Sequence, residues 1–293
     1  MTTDFSGVYT ALITPFNKGE VDFDSLKSLI EFQKTNGIQG FVVNGTTAES
    51  PTLDLAEVEN IYRFVRKEFD GKVIVGTGSN STKKTIELTE KAKQWGADGA
   101  LVVTPYYNKP TQQGVVAHFK AVANSVDIPI ILYNVPTRTI TPIDLESILQ
   151  LSEHKNIVSV KESQGDMNFS KKLITKLDPS FQVLSGDDVT CFEQMLLGGV
   201  GVISVISHLI PKQFNELCVK ARNKDDSYIA DYNKYSELLK QLYIVSNPIP
   251  VKAALKHMDI IASAEMRLPL IELDEENSAN MKNTLDGLGL LGN

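Results

Sequence analysis

The 293-residue sequence is poor in several residue types from which functional sites are often built. It has two cysteines, Cys191 and Cys218, far apart in the chain. That excludes a disulfide framework and leads us to expect a reducing, cytoplasmic setting. Histidine occurs four times, at His118, His154, His208 and His257, in or beside predicted helices. No pair has H-x-H spacing, so no metal site is expected. No apolar run approaches the ~20 residues of a membrane-spanning helix. The opening MTTDFSGVYTALITPF lacks the basic start and long apolar core of a signal peptide. Lys and Arg form no block, and 29 of them against 36 acidic residues leave a net charge of −7. On charge grounds neither nucleic acid nor anionic membrane is expected as a partner. Gly76-x-Gly78 lacks the third glycine of a dinucleotide loop, and the full G-x-G-x-x-G at 287–292 opens no helix, so it is a false match.

What is present is a repeat of short, β-branched runs bounded by Gly or Pro. They are GVYTALITPF from Gly7, GFVVNG from Gly40, KVIVGTG from Lys72, GALVVTP from Gly99, PIILYNVP from Pro129, NIVSVKES from Asn156, FQVLSGDD from Phe181 and GVGVISVIS from Gly199. Such runs read as buried strands. Between them, 23–36, 55–69, 82–95, 113–125, 142–153, 168–177 and 188–197 carry apolar residues at helical spacing. Eight strand–helix cycles need long parallel crossovers, and in this length they fit a closed (β/α)₈ TIM barrel. Beyond Pro211 only helical periodicity remains, at 213–221, 227–244, 251–257 and 276–288. The acidic stretch around Asp226 divides a catalytic barrel, residues 1–224, from a C-terminal helical extension, residues 225–293.

In such barrels the active site gathers at the C-terminal ends of the strands. There the chain places Asn44 to Ser50, Gly76 to Asn80, Thr104 to Asn108, Tyr133 to Arg138, Lys161 to Ser163, Ser185 to Asp188 and Ile203 to Val205. The rim thus holds an amine, three tyrosines, a guanidinium and several hydroxyls. Asp187-Asp188 suits a cap for the following helix better than a divalent cation. A lysine closing a buried strand is unusual, because charge is rarely buried unpaired. The amine of Lys161 is a nucleophile only when unprotonated, a form favoured by partial burial beside another cation, for which Arg138 is the candidate. Such an amine adds to a ketone or aldehyde to form an imine. The imine is an electron sink, and loss of a neighbouring proton leaves an enamine nucleophile. Tyr133 can shuttle that proton only within a hydrogen-bonded relay. Arg138 suits a substrate carboxylate, bound through two hydrogen bonds. On the residues alone, Tyr107 and Tyr133 are equally packing tyrosines, and Thr46-Thr47 equally a cap for a helix starting near Pro51.

GTTAES, TPYYN, YNVPTR, VKES, LSGDD, GVISV and NPIPVK occur in this order along nearly the whole chain. In this combination the chain resembles the pyruvate-dependent class I aldolase superfamily, and within it the members that condense pyruvate with L-aspartate 4-semialdehyde. The resemblance implies a Schiff base of pyruvate with Lys161, with no cofactor, and a proton relay of Thr46, Tyr107 and Tyr133. It implies that Thr47, Gly186 and the main chain near Ile203 bind the pyruvate part and that Arg138 holds the semialdehyde carboxylate. It also implies a homotetramer or dimer in which Tyr107 enters the partner's site. N-acetylneuraminate lyase resembles the chain less, since it typically lacks the Arg of YNVP-x-R and the paired tyrosines of TPYY. A non-enzymatic relative would tend to have lost Lys161 or Tyr133. Lysine-inhibited members of the family bind lysine at the dimer interface. Ser50, Asn80 and Tyr106 match that site, but Leu55 and Val58 stand at its histidine positions and Lys84 at its glutamate position. Weak or absent lysine feedback is expected.

Overall fold

The computed structural model describes residues 4–292; Met1 to Thr3 of the N-terminal stretch, and residue 293, lie outside them. Eight parallel strands close into a barrel. They are β1 (Gly7–Ala11), β2 (Gly40–Val43), β3 (Lys72–Gly76), β4 (Gly99–Val103), β5 (Ile130–Asn134), β6 (Ile157–Glu162), β7 (Gln182–Ser185) and β8 (Gly201–Ser204). The surrounding helices are α1 (Phe23–Thr35), α2 (Leu55–Glu68), α3 (Thr82–Trp95), α4 (Gln112–Ser125), α5 (Leu145–Ser152), α6 (Met167–Lys176), α7 (Cys191–Leu196) and α8 (Pro211–Arg222). The (β/α)₈ expectation is met. Caps start two helices where the pattern predicts, Asp22 accepting from Ser25 N and Asp54 forming a capping box with Glu57, while Asp144, accepting from Ser147 N, moves the start of the 142–153 helix to Leu145.

Alternation along each strand divides the core in two. On β5, Ile131 and Tyr133 face the barrel interior with Tyr9, Val42, Ile74, Leu101, Leu184 and Ile203. Ile130 and Leu132 face the outer helices. The register sets Tyr133 opposite Lys161 and Lys161 opposite Leu184. Period two therefore turns Lys161 inward and Glu162 outward.

The seam between β1 and β8 is closed by polar groups. Gln33 on α1 accepts from Thr10 Oγ1 at 2.7 Å and donates to the carbonyls of Ser207 and His208 at 2.9 and 3.1 Å. His208 is fully buried. Its Nδ1 donates to Val205 O at 2.8 Å, and its Nε2 accepts from Ile13 N at 3.2 Å. Only neutral imidazole can do both, and burial accordingly pulls its pKa down to about 4.

Several predicted boundaries change. The run from Gly7 leaves the barrel after Ala11, and Phe16–Asn17 pairs instead with Glu20–Val21 in a small hairpin. The predicted 227–244 helix is broken into α9 (Tyr228–Asn233) and α10 (Ser236–Leu242), followed by α11 (Ile249–His257) and α12 (Glu275–Gly287). Their apolar faces, including Leu238, Leu242, Val251, Leu255, Met281 and Leu285, merge with the core that packs α1, α2, α7 and α8 on the barrel. No helix among the described residues is long and apolar enough to cross a membrane.

Glu162 ties the site's strand to its neighbour. Its Oε2 accepts from Asn134 Nδ2 at 2.8 Å and its Oε1 from Gln164 N at 2.7 Å, while Asn134 Oδ1 accepts from Ile143 N at 2.9 Å. Burial outweighs these donors and raises the Glu162 pKa from 4.5 to about 7. The folded state thus holds this proton more tightly than the unfolded chain, so stability falls as pH rises from 4.5 toward 7. Glu162→Gln should remove that loss, of the order of 3 kcal/mol. Urea unfolding of both proteins at pH 5 and about pH 7.5 tests this, and an equal pH dependence would refute it.

Candidate active site

Lys161 is 6% exposed at the C-terminal end of β6, and its Nζ lies 4.2 Å from the centroid of the Tyr133 ring. A cation over an aromatic face is attractive. Among the described residues no ion pair or hydrogen bond engages Nζ beside this ring contact. Gly186 makes room for the amine's stem, because a Cβ there would collide with Lys161 Cε and Ser163 Oγ. The main chain is pinned at the same point, with Gly186 N donating to Glu162 O at 2.8 Å.

These groups line a cavity of about 260 Å³ in the barrel mouth. Thr46, Thr47, Arg138 and Ile203 also line it. The structure therefore brings together Lys161, Tyr133, Thr46, Thr47, Arg138, Gly186 and Ile203. Tyr107 stands apart: it is 86% exposed, has φ 74°, and takes no part in the cavity wall of its own chain. Thr46 and Tyr133 also flank a smaller space of about 50 Å³ that shares walls with the cavity, without a direct hydrogen bond between their hydroxyls.

The threonine loop is not a cap for α2, which Asp54 supplies. Thr46–Ala48 is a 3₁₀ turn, followed by Glu49 at φ 57°. Glu49 is buried, pairs with the buried Lys252 of α11, and accepts from Arg267 N at 3.0 Å. Lys252 also donates to Glu265 O at 2.9 Å, and Arg267 reaches Glu57 through both terminal nitrogens. The side chains of Lys252 and Arg267 both lie over the ring of Phe16. The extension after α10 thus clamps the loop that carries Thr46 and Thr47.

That extension also supplies part of the wall. Tyr243, Ser246 and Asn247 line the cavity. Asn247 Nδ2 donates to Thr47 Oγ1 at 2.9 Å, and Asn247 O accepts from Arg138 Nη2 at 3.3 Å. Sequence reasoning quoted NPIPVK but assigned its residues no place in the site. The available signal was a Pro-flanked Asn between two apolar helical segments.

Asp187-Asp188 corrects a second expectation. Asp188 does not cap α7. Its Oδ2 crosses to β8 and accepts from Val205 N and Ile206 N at 2.9 and 2.8 Å, and from Tyr243 Oη at 3.1 Å. The main chain beyond Ile203 is held by these bonds, although burial raises the Asp188 pKa. These donors beyond β8 hold the Asp188 carboxylate away from the helix, which starts at Cys191 rather than at the aspartates. Asp187 Oδ1 accepts from Val189 N and Oδ2 from Thr190 Oγ1 at 3.3 and 2.7 Å, and Asp187 lines the cavity. No cluster of three or more His, Cys, Asp or Glu residues suited to a metal exists among the described residues.

The model of the dihydrodipicolinate synthetase family matches residues 4–288. A 4-hydroxy-tetrahydrodipicolinate synthase of Bdellovibrio bacteriovorus is 47% identical, the match covering 98% of this chain and 99% of that relative. The crystal structure of dihydrodipicolinate synthase from Aquifex aeolicus superposes with TM-score 0.95 at 45% identity, covering 99% of this chain and 100% of its own. That of the chloride-inhibited enzyme from Acinetobacter baumannii, complexed with pyruvate, superposes with TM-score 0.95 at 41% identity, covering 98% and 100%. A full-length family match, relatives above 40% identity and a barrel whose mouth holds an inward lysine lead to one conclusion: the chain belongs to the dihydrodipicolinate synthetase family.

Proposed function

We propose that the chain is a Schiff-base-forming lyase that condenses pyruvate with L-aspartate 4-semialdehyde to give 4-hydroxy-tetrahydrodipicolinate, in lysine and diaminopimelate biosynthesis. The observation that carries this reading is the Lys161 amine, turned into the barrel mouth against Tyr133 with no competing ion pair. The names of the relatives, and the pyruvate in the Acinetobacter baumannii neighbour, support the same substrates.

In this reading the unprotonated Lys161 amine attacks the keto carbon of pyruvate. Loss of water gives the protonated imine, whose pull on electrons lets the methyl group lose a proton and leaves an enamine. Tyr133, beside the amine, gives and takes these protons, with Thr46 of the same cavity wall as the next member of the relay. Thr47 and the main chain at Ile203 hold the pyruvate carboxylate, and Gly186 leaves room for it beside Lys161. Arg138 at the rim takes the carboxylate of the incoming aldehyde. The enamine carbon attacks the aldehyde, the amino group of the adduct closes the ring, and Lys161 leaves. The covalent imine supplies the electron sink, so the reaction needs no resident cofactor. A second copy of the chain completes each site with Tyr107, in a dimer or tetramer, and the enzyme works in the cytoplasm. A sugar aldehyde such as the N-acetylneuraminate lyases handle offers no carboxylate for Arg138.

An outer groove of about 520 Å³ is walled by Ser50, Leu55, Val58, Lys84 and Tyr106. Asp54 and Glu87 line the groove too, but Lys84 stands where lysine-inhibited members have a glutamate and presents a like charge to a lysine ligand, which opposes feedback inhibition.

Borohydride added with pyruvate should fix a pyruvate-derived mass on the peptide containing Lys161, and labelling elsewhere would overturn the reading. Aspartate semialdehyde should then be consumed and N-acetylneuraminate not. Arg138→Ala should lower kcat/KM for the semialdehyde roughly 10- to 100-fold, the worth of a charged hydrogen-bonded pair, while trapping of pyruvate stays unchanged. Lysine at roughly millimolar concentration should leave the rate unaltered, since its ammonium meets a like charge in the groove.

A further inference from the structure

The cavity contains a charge that its anionic substrates do not explain. Pyruvate and the semialdehyde each carry a carboxylate, and Lys161 and Arg138 suit them. Yet Asp187 lines the same cavity, the one acidic residue to do so among the described residues. Glu162 is turned outward onto Asn134, and Asp188 is spent on Val205 and Ile206. A carboxylate facing two anions costs binding unless it meets a cation.

The barrel order places it suitably. β5, β6 and β7 are neighbours. Arg138 follows β5, Lys161 closes β6 and Asp187 follows β7, so along the rim Lys161 comes between Arg138 and Asp187 in one cavity wall. Each Asp187 oxygen accepts one bond within its own loop. A carboxylate has about four acceptor sites, so capacity remains on both oxygens.

We propose that Asp187 recognises the α-ammonium of the aldehyde substrate and takes its proton for ring closure. This rests on the reading of Lys161 as the imine-forming residue. While the aldol adduct is joined to Lys161 as an iminium, its ammonium passes one proton to Asp187. The freed amine nitrogen bonds to the iminium carbon, and the C=N electrons move to Nζ. A proton then passes from the ring nitrogen to Nζ, the C–Nζ bond breaks, and Lys161 leaves as a neutral amine. The ring keeps a C=N bond, and its remaining proton goes to solvent. The step needs no outside reactant. Arg138 and Asp187 together define the substrate class as a zwitterionic 2-amino aldehyde acid.

Asp187→Asn keeps the shape and the acceptor for Val189 N while removing the charge. Two aldehydes separate the roles: L-aspartate 4-semialdehyde, and succinate semialdehyde, which lacks the amino group. The variant should form the pyruvate imine at the wild-type rate, as read by borohydride trapping. Its kcat/KM for the amino aldehyde should fall about 100-fold, in the range of a lost acid–base group. A lysine-bound adduct containing both substrates should accumulate. Single-turnover aldol addition of succinate semialdehyde should be unchanged. Equal losses with both aldehydes would reduce Asp187 to a loop-shaping residue, and no loss with either would remove it from the site; both overturn the proposal. Failure of the wild-type protein to trap pyruvate would instead overturn the imine reading itself.

Discussion

The site depends on one inward-facing amine held against an aromatic ring. Lys161 is buried, with Tyr133 at 4.2 Å and no anion paired to it. An amine engaged by a carboxylate would have to break that pair before attacking a ketone. Here the contact comes from the ring face, and no hydrogen bond commits the nitrogen. Much of the surrounding structure serves this placement. Gly186 vacates the volume beside the stem, and the strand register brings Tyr133 alongside.

The second constraint is the clamp between the threonine loop and the C-terminal extension. A buried ion pair such as Glu49–Lys252 is poor evidence for added stability, because desolvation offsets the attraction. Its geometry is more informative. Glu49 follows directly on Thr46, Thr47 and Ala48, and its carboxylate is satisfied from beyond residue 250 by Lys252 and by Arg267 N. Asn247 joins Thr47 to Arg138 from the same stretch. The extension therefore builds one side of the cavity as well as covering the barrel.

The barrel was legible because its signals are local. Short β-branched runs alternate with amphipathic segments, and eight such cycles leave few topologies open. Lys161 stood out for an equally local reason, since an amine ending an apolar run conflicts with burial. The role of Asp188 was not legible: its bonding partners, Val205 and Ile206, follow the next strand of the barrel, and a cap was the nearest local alternative. The same holds for Thr46-Thr47, where Asp54 outcompetes them as the cap of α2. Asn247 and Tyr243 were missed because they reach the cavity only after the chain returns over the barrel mouth. The predicted 227–244 helix overran because its periodicity continues through the break between α9 and α10.

The sequence alone determined the closed barrel, the strand that ends in Lys161, and the kinds of group at the rim, because period and composition act between near neighbours in the chain. Tertiary structure decided which of those groups share one cavity, that Tyr107 points away from it, and that the region after residue 240 completes its wall. Those outcomes turn on volume exclusion and on hydrogen bonds between residues up to some two hundred positions apart, such as Thr47 and Asn247, and no local pattern encodes them.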